Sequence, residues 1–417
     1  MSFPLFLARH ISLNPHSKGA RSGLIIAITG ISLSIIVMLV SIAVMMGFKQ
    51  EVRQKIMGFE AQLIVAPKVT ADSTSMIPLV DSAMVSLIAT SLPPEANAAL
   101  TIRQPAILKT PTSFAGTVIK AYDADYDWKF IRSNLIEGAI PDYAQDSTIY
   151  HVVISKTLAE NLEVGTGDKL DAYFMGNGGA YRTRRLKIAG LFDSHFSDYD
   201  LHYIFASLPM LRRLGGLPEG SATLLEINGL GNDDEIDKTA SEITGLAIES
   251  LYQGKTNQLH TVENIHDSAA IYFNWLALLD TNVVVILTLM ALLAMLTLVS
   301  SLFILILRRV NMIGVLKALG ASNRLIRRTF VILTMRLLFY GLVIGNLVGI
   351  GIILLQHYTH VIPLNPEAYY LDHVPVLLDI PSVIVLNIAV AAMSAIVLIL
   401  PSAAITTIPP SRAINYE

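Results

Sequence analysis

The sequence predicts a membrane α-helical protein with four transmembrane helices and a large inserted extracytoplasmic α+β domain. Three observations carry that prediction. Hydrophobic residues make up 53% of the 417-residue chain and charged residues only 15%, against roughly 25% charged in a soluble domain. The excess collects in four apolar runs, each long enough to cross a hydrocarbon core of about 30 Å. The formal net charge of −3 also conceals a segregation: Lys49 to Ala270 holds 19 basic against 28 acidic residues, whereas Arg308 to Arg328 holds six basic residues and no acidic one. Positive charge stays on the cytoplasmic side. That stretch and both termini are therefore expected in the cytoplasm and the acidic region outside.

Taken in order, residues 1–21 open with an apolar segment, Phe3 to Ile11, that suits the inner membrane surface before Asn14-Pro15 turns the chain inward. Residues 22–48 form the first span, whose run is too long for a signal peptide and has no A-x-A cleavage site after it. Gly30, Ser32, Ser34 and Ser41 within it are small enough for close helix packing. Residues 49–270 change character. Strand-like runs at 62–66, 98–102, 117–121, 151–155, 169–174, 186–189, 203–205 and 223–227 alternate with helix-like stretches at 79–91, 156–162, 208–214 and 234–244, which predicts two mixed lobes.

Residues 271–308 predict a second helix of roughly 57 Å, far longer than the bilayer core, so its first dozen residues are expected outside. Residues 309–328 are the cytoplasmic elbow. There Val310–Leu319 suits a helix, Gly320 the left-handed residue after it, and Ser322 or Asn323 the next N-cap. The third span (329–356) carries Arg336, expected to snorkel toward the inner face. An outside loop (357–380) with His357, His360, Tyr369, Tyr370 and His373 has an interfacial composition. The fourth span (381–402) and a short cytoplasmic tail (403–417) complete the chain.

Chemistry is sparse. There is no G-x-x-x-x-G-K-[ST], so no P-loop, and no cysteine, so neither a disulfide nor a thiol nucleophile. Asp193, His195, Asp198, Asp200 and His202 are metal-binding types without metal-binding spacing, and a solvated loop is the better expectation. The Gly-rich Met175, Gly176, Asn177, Gly178, Gly179, Ala180, Tyr181 segment has no following helix to hold phosphate and reads as a hairpin loop. On the elbow helix Asn311, Gly314 and Ala318 offer a small face, with Met312, Val315, Leu316 and Leu319 as the apolar stripe. Such a helix can lie on anionic lipid or dock on a motor protein.

One span, a large domain, then three spans joined by Ile313-Gly314-Val315-Leu316-Lys317-Ala318-Leu319-Gly320-Ala321-Ser322 resembles the ABC-transporter permeases of the macrolide-exporter and cell-division type. Val44-Met45-Met46-Gly47-Phe48, Tyr369 to Val376 and the tail Pro410 to Glu417 are similar to the lipoprotein-releasing (Lol-type) members, although Met46 stands where they carry Asn. The resemblance implies a non-enzymatic permease subunit in the bacterial inner membrane with its large domain in the periplasm. The chain itself would hold no cofactor; ATP and Mg would be bound by a cytoplasmic ABC ATPase dimer. It further implies a second permease copy, lipoprotein substrates, a periplasmic carrier at the 175–181 hairpin and no nucleic acid. Coupling to the ATPase would fall to Asn311, Gly314, Lys317, Ala318, Gly320, Ala321 and Arg324. Acyl chains need an apolar, adaptable site, since each exposed CH₂ costs about 0.8 kcal/mol. Met38, Ile42, Met45, Met46 and Phe48 on the first span, facing Leu276, Leu279, Val283 and Leu287 on the second, fit either that cavity or ordinary helix and lipid contacts. The resemblance implies the cavity. A drug or peptide exporter and a regulator of a periplasmic hydrolase are the competing readings.

Overall fold

The computed structural model describes residues 18–68, 78–175 and 181–399, which fall into two compact units. One holds the chain up to Gln50, Trp275–Pro363 and His373 onward; the other holds Glu51–Asn274 together with Leu364–Asp372.

Among the described residues, four helices are long and apolar enough to cross a membrane. They are the first span, Lys18–Phe59, the second, Ala270–Leu307, the third, Asn323–Thr359, and the fourth, Ile380–Val397. The first does not stop at Phe48, because no proline interrupts Lys49 to Phe59 and Val52, Ile56 and Phe59, at i, i+4 and i+7, are all buried. Its polar extension is an amphipathic helix. The elbow helix, Val310–Ala318, is followed by Gly320 at φ +89° and by Ser322, whose side chain accepts from the Leu325 N–H to cap the third span. Both capping expectations hold.

Glycine lets the third span pack tightly on the first. A Cβ on Gly341 would stand 2.6 Å from Ile31, one on Gly345 2.7 Å from Ile35, and one on Gly349 3.1 Å from Leu39. Positions i, i+4 and i+8 thus form one close-contact stripe, and the Ser32 hydroxyl donates to the Gly341 carbonyl at 3.1 Å. The third and fourth spans are joined by Asn346 and Asn387, whose amides exchange hydrogen bonds of 2.7 and 2.9 Å. At the far end of the first span Gly47 leaves room for the Pro375 backbone, 2.8 Å from where a Cβ would sit, and Leu377 N–H donates to Ala43 C=O at 2.9 Å.

The other unit is an α+β structure with ten strands among the described residues, built around a long strand, β2. The strands are β1 Leu63–Pro67, β2 Asn97–Lys109, β3 Phe114–Tyr122, β4 Leu135–Gly138, β5 His151–Ser155, β6 Lys169–Met175, β7 Tyr181–Phe192, β8 Tyr203–Ser207, β9 Leu224–Asn228 and β10 His260–Asn264. Because β6 pairs with both β2 and β7, the path β2-β3-β8-β5-β7-β6 closes into a six-stranded barrel. Ile102, Leu108, Ile119, Ile154, Phe174 and Ile204 help fill it. The first residues of β2 pair instead with β9, in the sheet β10-β1-β9-β2. Helices Ser82–Ser91 and Asp233–Tyr252 bury Met84, Ile88, Ile236 and Ile243 with that sheet, forming the second lobe.

Strands β4 and β10 escape the sequence reading for a shared reason. Both are edge strands whose sequences, Leu135-Ile136-Glu137-Gly138 and His260-Thr261-Val262-Glu263-Asn264, show no apolar alternation, and neither has more than one buried side chain.

Candidate functional site

The elbow helix exposes Asn311, Val315, Ala318 and Leu319, with Val315 52% and Leu319 79% accessible. Its opposite side carries Ile313 and Gly314, both buried, with Met312 and Leu316 packed against the same core. The structure thus departs from the expected small face. Gly314 points inward, because the apolar side that must pack includes Ile313, and the outward surface gains two large apolar side chains. Lys317 and Ala321 are half-buried, while Gly320 and Arg324 are exposed. A Cβ on Gly320 would meet nothing within 4 Å, so its backbone conformation and not lack of space calls for glycine. Two exposed aliphatic side chains, on a helix followed in the chain by the exposed Arg324 and Arg328, offer a surface that a soluble protein can cover.

The nine residues read as an acyl site divide into two groups. Met38, Phe48 and Leu276 are buried in the chain's own packing, and Phe48 meets Trp275 edge-on at 5.6 Å. Ile42, Met45, Met46, Leu279, Val283 and Leu287 are half-buried and keep surface to offer. The Ser382 hydroxyl reaches the Met46 sulfur at 3.7 Å, and Lys49 pairs with Asp280 at 2.9 Å. This ion pair ties the first span to the second.

At the hairpin, Met175 and Tyr181 are not loop residues. They form the last pair of the β6–β7 ladder, and their side chains are 66% and 65% exposed. Gly176, Asn177, Gly178, Gly179 and Ala180 lie outside the described residues.

The Asp193–His202 segment is a correction. It is not a solvated loop: Ser197–His202 is helical, and Ser194, Phe196, Tyr199 and Asp200 are buried. The cause is aromatic packing. Phe196 lies 4.5 Å from the Tyr370 ring and 5.1 Å from Tyr272, and Tyr199 stacks on Phe59 at 4.9 Å. Polar groups knit the same place. Tyr272 and Tyr370 hydroxyls both donate to Asp198 at 3.1 Å, Lys55 donates to the Ser194 and Tyr370 carbonyls, and His195 stands 3.1 Å from Asp193 and 3.4 Å from Asp372. His195 and Tyr370 both adopt positive φ, at 56° and 61°. The segment Leu364–Asp372, expected as an interfacial loop, is thereby part of the α+β unit. Burial pushes the Asp200 carboxyl up to about 6, with the Ser194 hydroxyl donating to it at 2.7 Å. Among the described residues, no group of three or more His, Cys, Asp or Glu is placed to hold a metal ion.

A second buried network went unseen in the sequence because its members are far apart along the chain. Arg103 bridges Glu60 at 2.9 Å and Glu226 at 2.7 Å, and Tyr122 donates to Glu226 at 2.8 Å. Tyr203 donates to Glu60 at 2.9 Å, and Lys120, fully buried, donates to the Phe59 carbonyl and lies 4.6 Å above the Tyr203 ring. Burial would raise the Glu60 carboxyl, but Lys120 and Arg103 outweigh it and hold it below the usual range. The polar alternation of β2 and β3, Thr101-Ile102-Arg103 and Ile119-Lys120-Ala121, was the available signal.

Comparison with known families bears on this arrangement. Residues 24–246 match the model of the MacB-like periplasmic core domain and residues 284–410 that of the FtsX-like permease C-terminal region. Two proteins described as "Lipoprotein-releasing system transmembrane protein LolC", from Xylella fastidiosa strains Temecula1 and 9a5c, are each 23% identical over 408 residues, 94% of this chain and 93% of theirs. Solved structures with weaker likeness include the extracellular domain of YknZ from Gram-positive bacteria, 13% identical with a TM-score of 0.33 over 48% of this chain and 99% of that one. The periplasmic region of MacB from Actinobacillus actinomycetemcomitans is 12% identical, with a TM-score of 0.34 over 52% of this chain and 96% of that one.

Proposed function

We propose, for a chain that belongs to the FtsX-like permease family and carries its MacB-like periplasmic core domain, that it extracts acylated lipoproteins from the inner membrane and passes them to a periplasmic carrier. The observation that carries this reading is the likeness to the two lipoprotein-releasing proteins, which runs over nearly the whole of both chains. The permease works as one of two copies with an ABC ATPase. The exposed Asn311, Val315, Ala318 and Leu319 surface of the elbow helix receives the ATPase, whose sites hold ATP and Mg. Both termini are cytoplasmic and the α+β unit periplasmic, as the charge segregation favours. Substrate tails contact the half-buried Ile42, Met45, Met46, Leu279, Val283 and Leu287, and the carrier meets the end of the β6–β7 hairpin. Closure of the ATPase drives the cycle as a rigid-body transition.

Depletion of the protein followed by membrane fractionation tests the reading. Lipoproteins should accumulate in the inner membrane. Normal sorting with altered drug sensitivity would replace it by the exporter reading, which the MacB-like model match keeps in view.

A further inference from the structure

Arg336 is a cation on a membrane-spanning helix with no hydrogen-bond or ion-pair partner among the described residues. It lies on the third span about 12 Å along the helix axis from Arg328 and is half-buried. Around it Val331, Ile332, Met335, Phe339 and Tyr340 line a groove of about 410 Å³, open along one face of the helix. An unpaired guanidinium in this setting is expensive unless an anion meets it.

The membrane-spanning segments do not provide that anion. From Thr281 through Pro366 there is no Asp or Glu, nor is there one in 22–48 or 380–400. The spans and basic elbow of a second copy would add cations and no carboxylate at that level. A soluble partner does not reach a site two turns inside the bilayer. What remains at that level is lipid. Helical side chains lean toward the helix N-terminus, which here is the end bearing Arg324, Arg327 and Arg328. The Arg336 guanidinium is therefore carried toward the headgroup layer, while Met335, Phe339 and Tyr340 leave apolar surface on the deeper turns.

We propose that this groove is a phospholipid site on the elbow-side leaflet, with Arg336 binding the headgroup phosphate and Met335 and Phe339 contacting the upper acyl chain. The site is independent of the substrate that the permease moves.

The test is native mass spectrometry of the purified full-length chain with its associated partners, in detergent supplemented with phosphatidylglycerol or with diacylglycerol, which lacks the phosphate. Phosphatidylglycerol should be retained and diacylglycerol lost. Arg336→Gln should lower phosphatidylglycerol occupancy roughly fivefold, the effect of one basic side chain near a lipid surface. Arg336→Lys should restore most of it, and Arg324→Gln should change it less than twofold. Equal retention by the wild type and Arg336→Gln, or equal retention of the two lipids, overturns the proposal. Should Arg336→Gln not fold, a photo-reactive residue at Phe339 in native membranes decides the matter: a phospholipid adduct supports the site, and capture of residues 1–17, of residues 400–417, of a second copy or of another protein excludes it.

Discussion

The two units of this chain solve the same problem, burying polar groups, in opposite ways. In the α+β unit four charged side chains sit together out of water: Glu60, Arg103, Lys120 and Glu226, two of each sign, with two tyrosine hydroxyls completing their hydrogen bonds. In the membrane unit the contacts between spans use almost nothing of the kind. Glycines at 341, 345 and 349 bring backbones together, and among the described residues the polar links between spans are few, among them the Asn346–Asn387 amide pair, the Ser32 hydroxyl on the Gly341 carbonyl and the half-exposed Lys49–Asp280 ion pair. The difference follows from the solvent of the unfolded reference. Water makes apolar burial favourable enough to carry a neutral ion cluster, whereas lipid tails remove that driving force and leave close packing and hydrogen bonds to hold helices.

Removing one member of the ion cluster should do the most damage. Glu226→Ala leaves Tyr122 without its acceptor and Arg103 and Lys120 with Glu60 as the one carboxylate between them, and should cost about 3–5 kcal/mol, read as a lowered thermal midpoint of the full chain in detergent. A loss below about 1 kcal/mol would mean that water enters the cluster and the contrast drawn above is wrong.

Asp200 sharpens the comparison through pH. Its folded value is raised from 3.8 to about 6, so the folded state holds a proton that the unfolded chain has released. That contribution is fully present below 3.8 and is lost as pH rises through 6. Asp200→Asn stays neutral throughout. It should be more stable than the wild type at pH 8 by about 2 kcal/mol, after allowing ~1 kcal/mol for a weakened Ser194 hydrogen bond, and should lose that advantage near pH 4. Parallel melting curves at the two pH values would contradict the assignment.

In the membrane unit the effects should be smaller and steric. Gly345→Val forces a side chain into Ile35 and should cost about 1–3 kcal/mol, whereas Gly351→Ala, with nothing within 4 Å of the added Cβ, should be neutral. Equal losses in reversible unfolding of the two variants would remove the packing argument. The smallest change is expected from Asn346→Leu, about 0.6 kcal/mol, with recovery in the Asn346→Leu/Asn387→Leu double variant because no amide is then left unpaired.

The same contrast explains what was legible in the sequence. Spans, the elbow cap at Ser322 and the left-handed Gly320 follow from local composition and were readable residue by residue. The Gly341, Gly345, Gly349 stripe was also present as a four-residue spacing of small residues, but spacing alone does not say which helix it faces. The ion cluster could not be read, since Glu60, Arg103, Lys120 and Glu226 meet only after β1, β2, β3 and β9 have found their partners. Burial of Gly314 does not follow from the small size of the Asn311, Gly314, Ala318 face, because Ile313 beside it has the stronger claim on the core. The Asp193–His202 segment looked solvated from its charges, yet Phe196 and Tyr199 decide its position.

The place of Leu364–Asp372 in the α+β unit has a consequence for biosynthesis. Tyr370 closes over Phe196 and donates to Asp198, a residue 172 positions earlier. At 5–20 residues per second the ribosome delivers it on the order of ten seconds later, after the second and third spans have been made. Until then the faces of Phe196 and Tyr272 that Tyr370 covers are open. A chain whose third span fails to thread does not bring Tyr370 to that place, so closing the aromatic cluster of the domain waits on the insertion of a helix that lies outside it in the sequence.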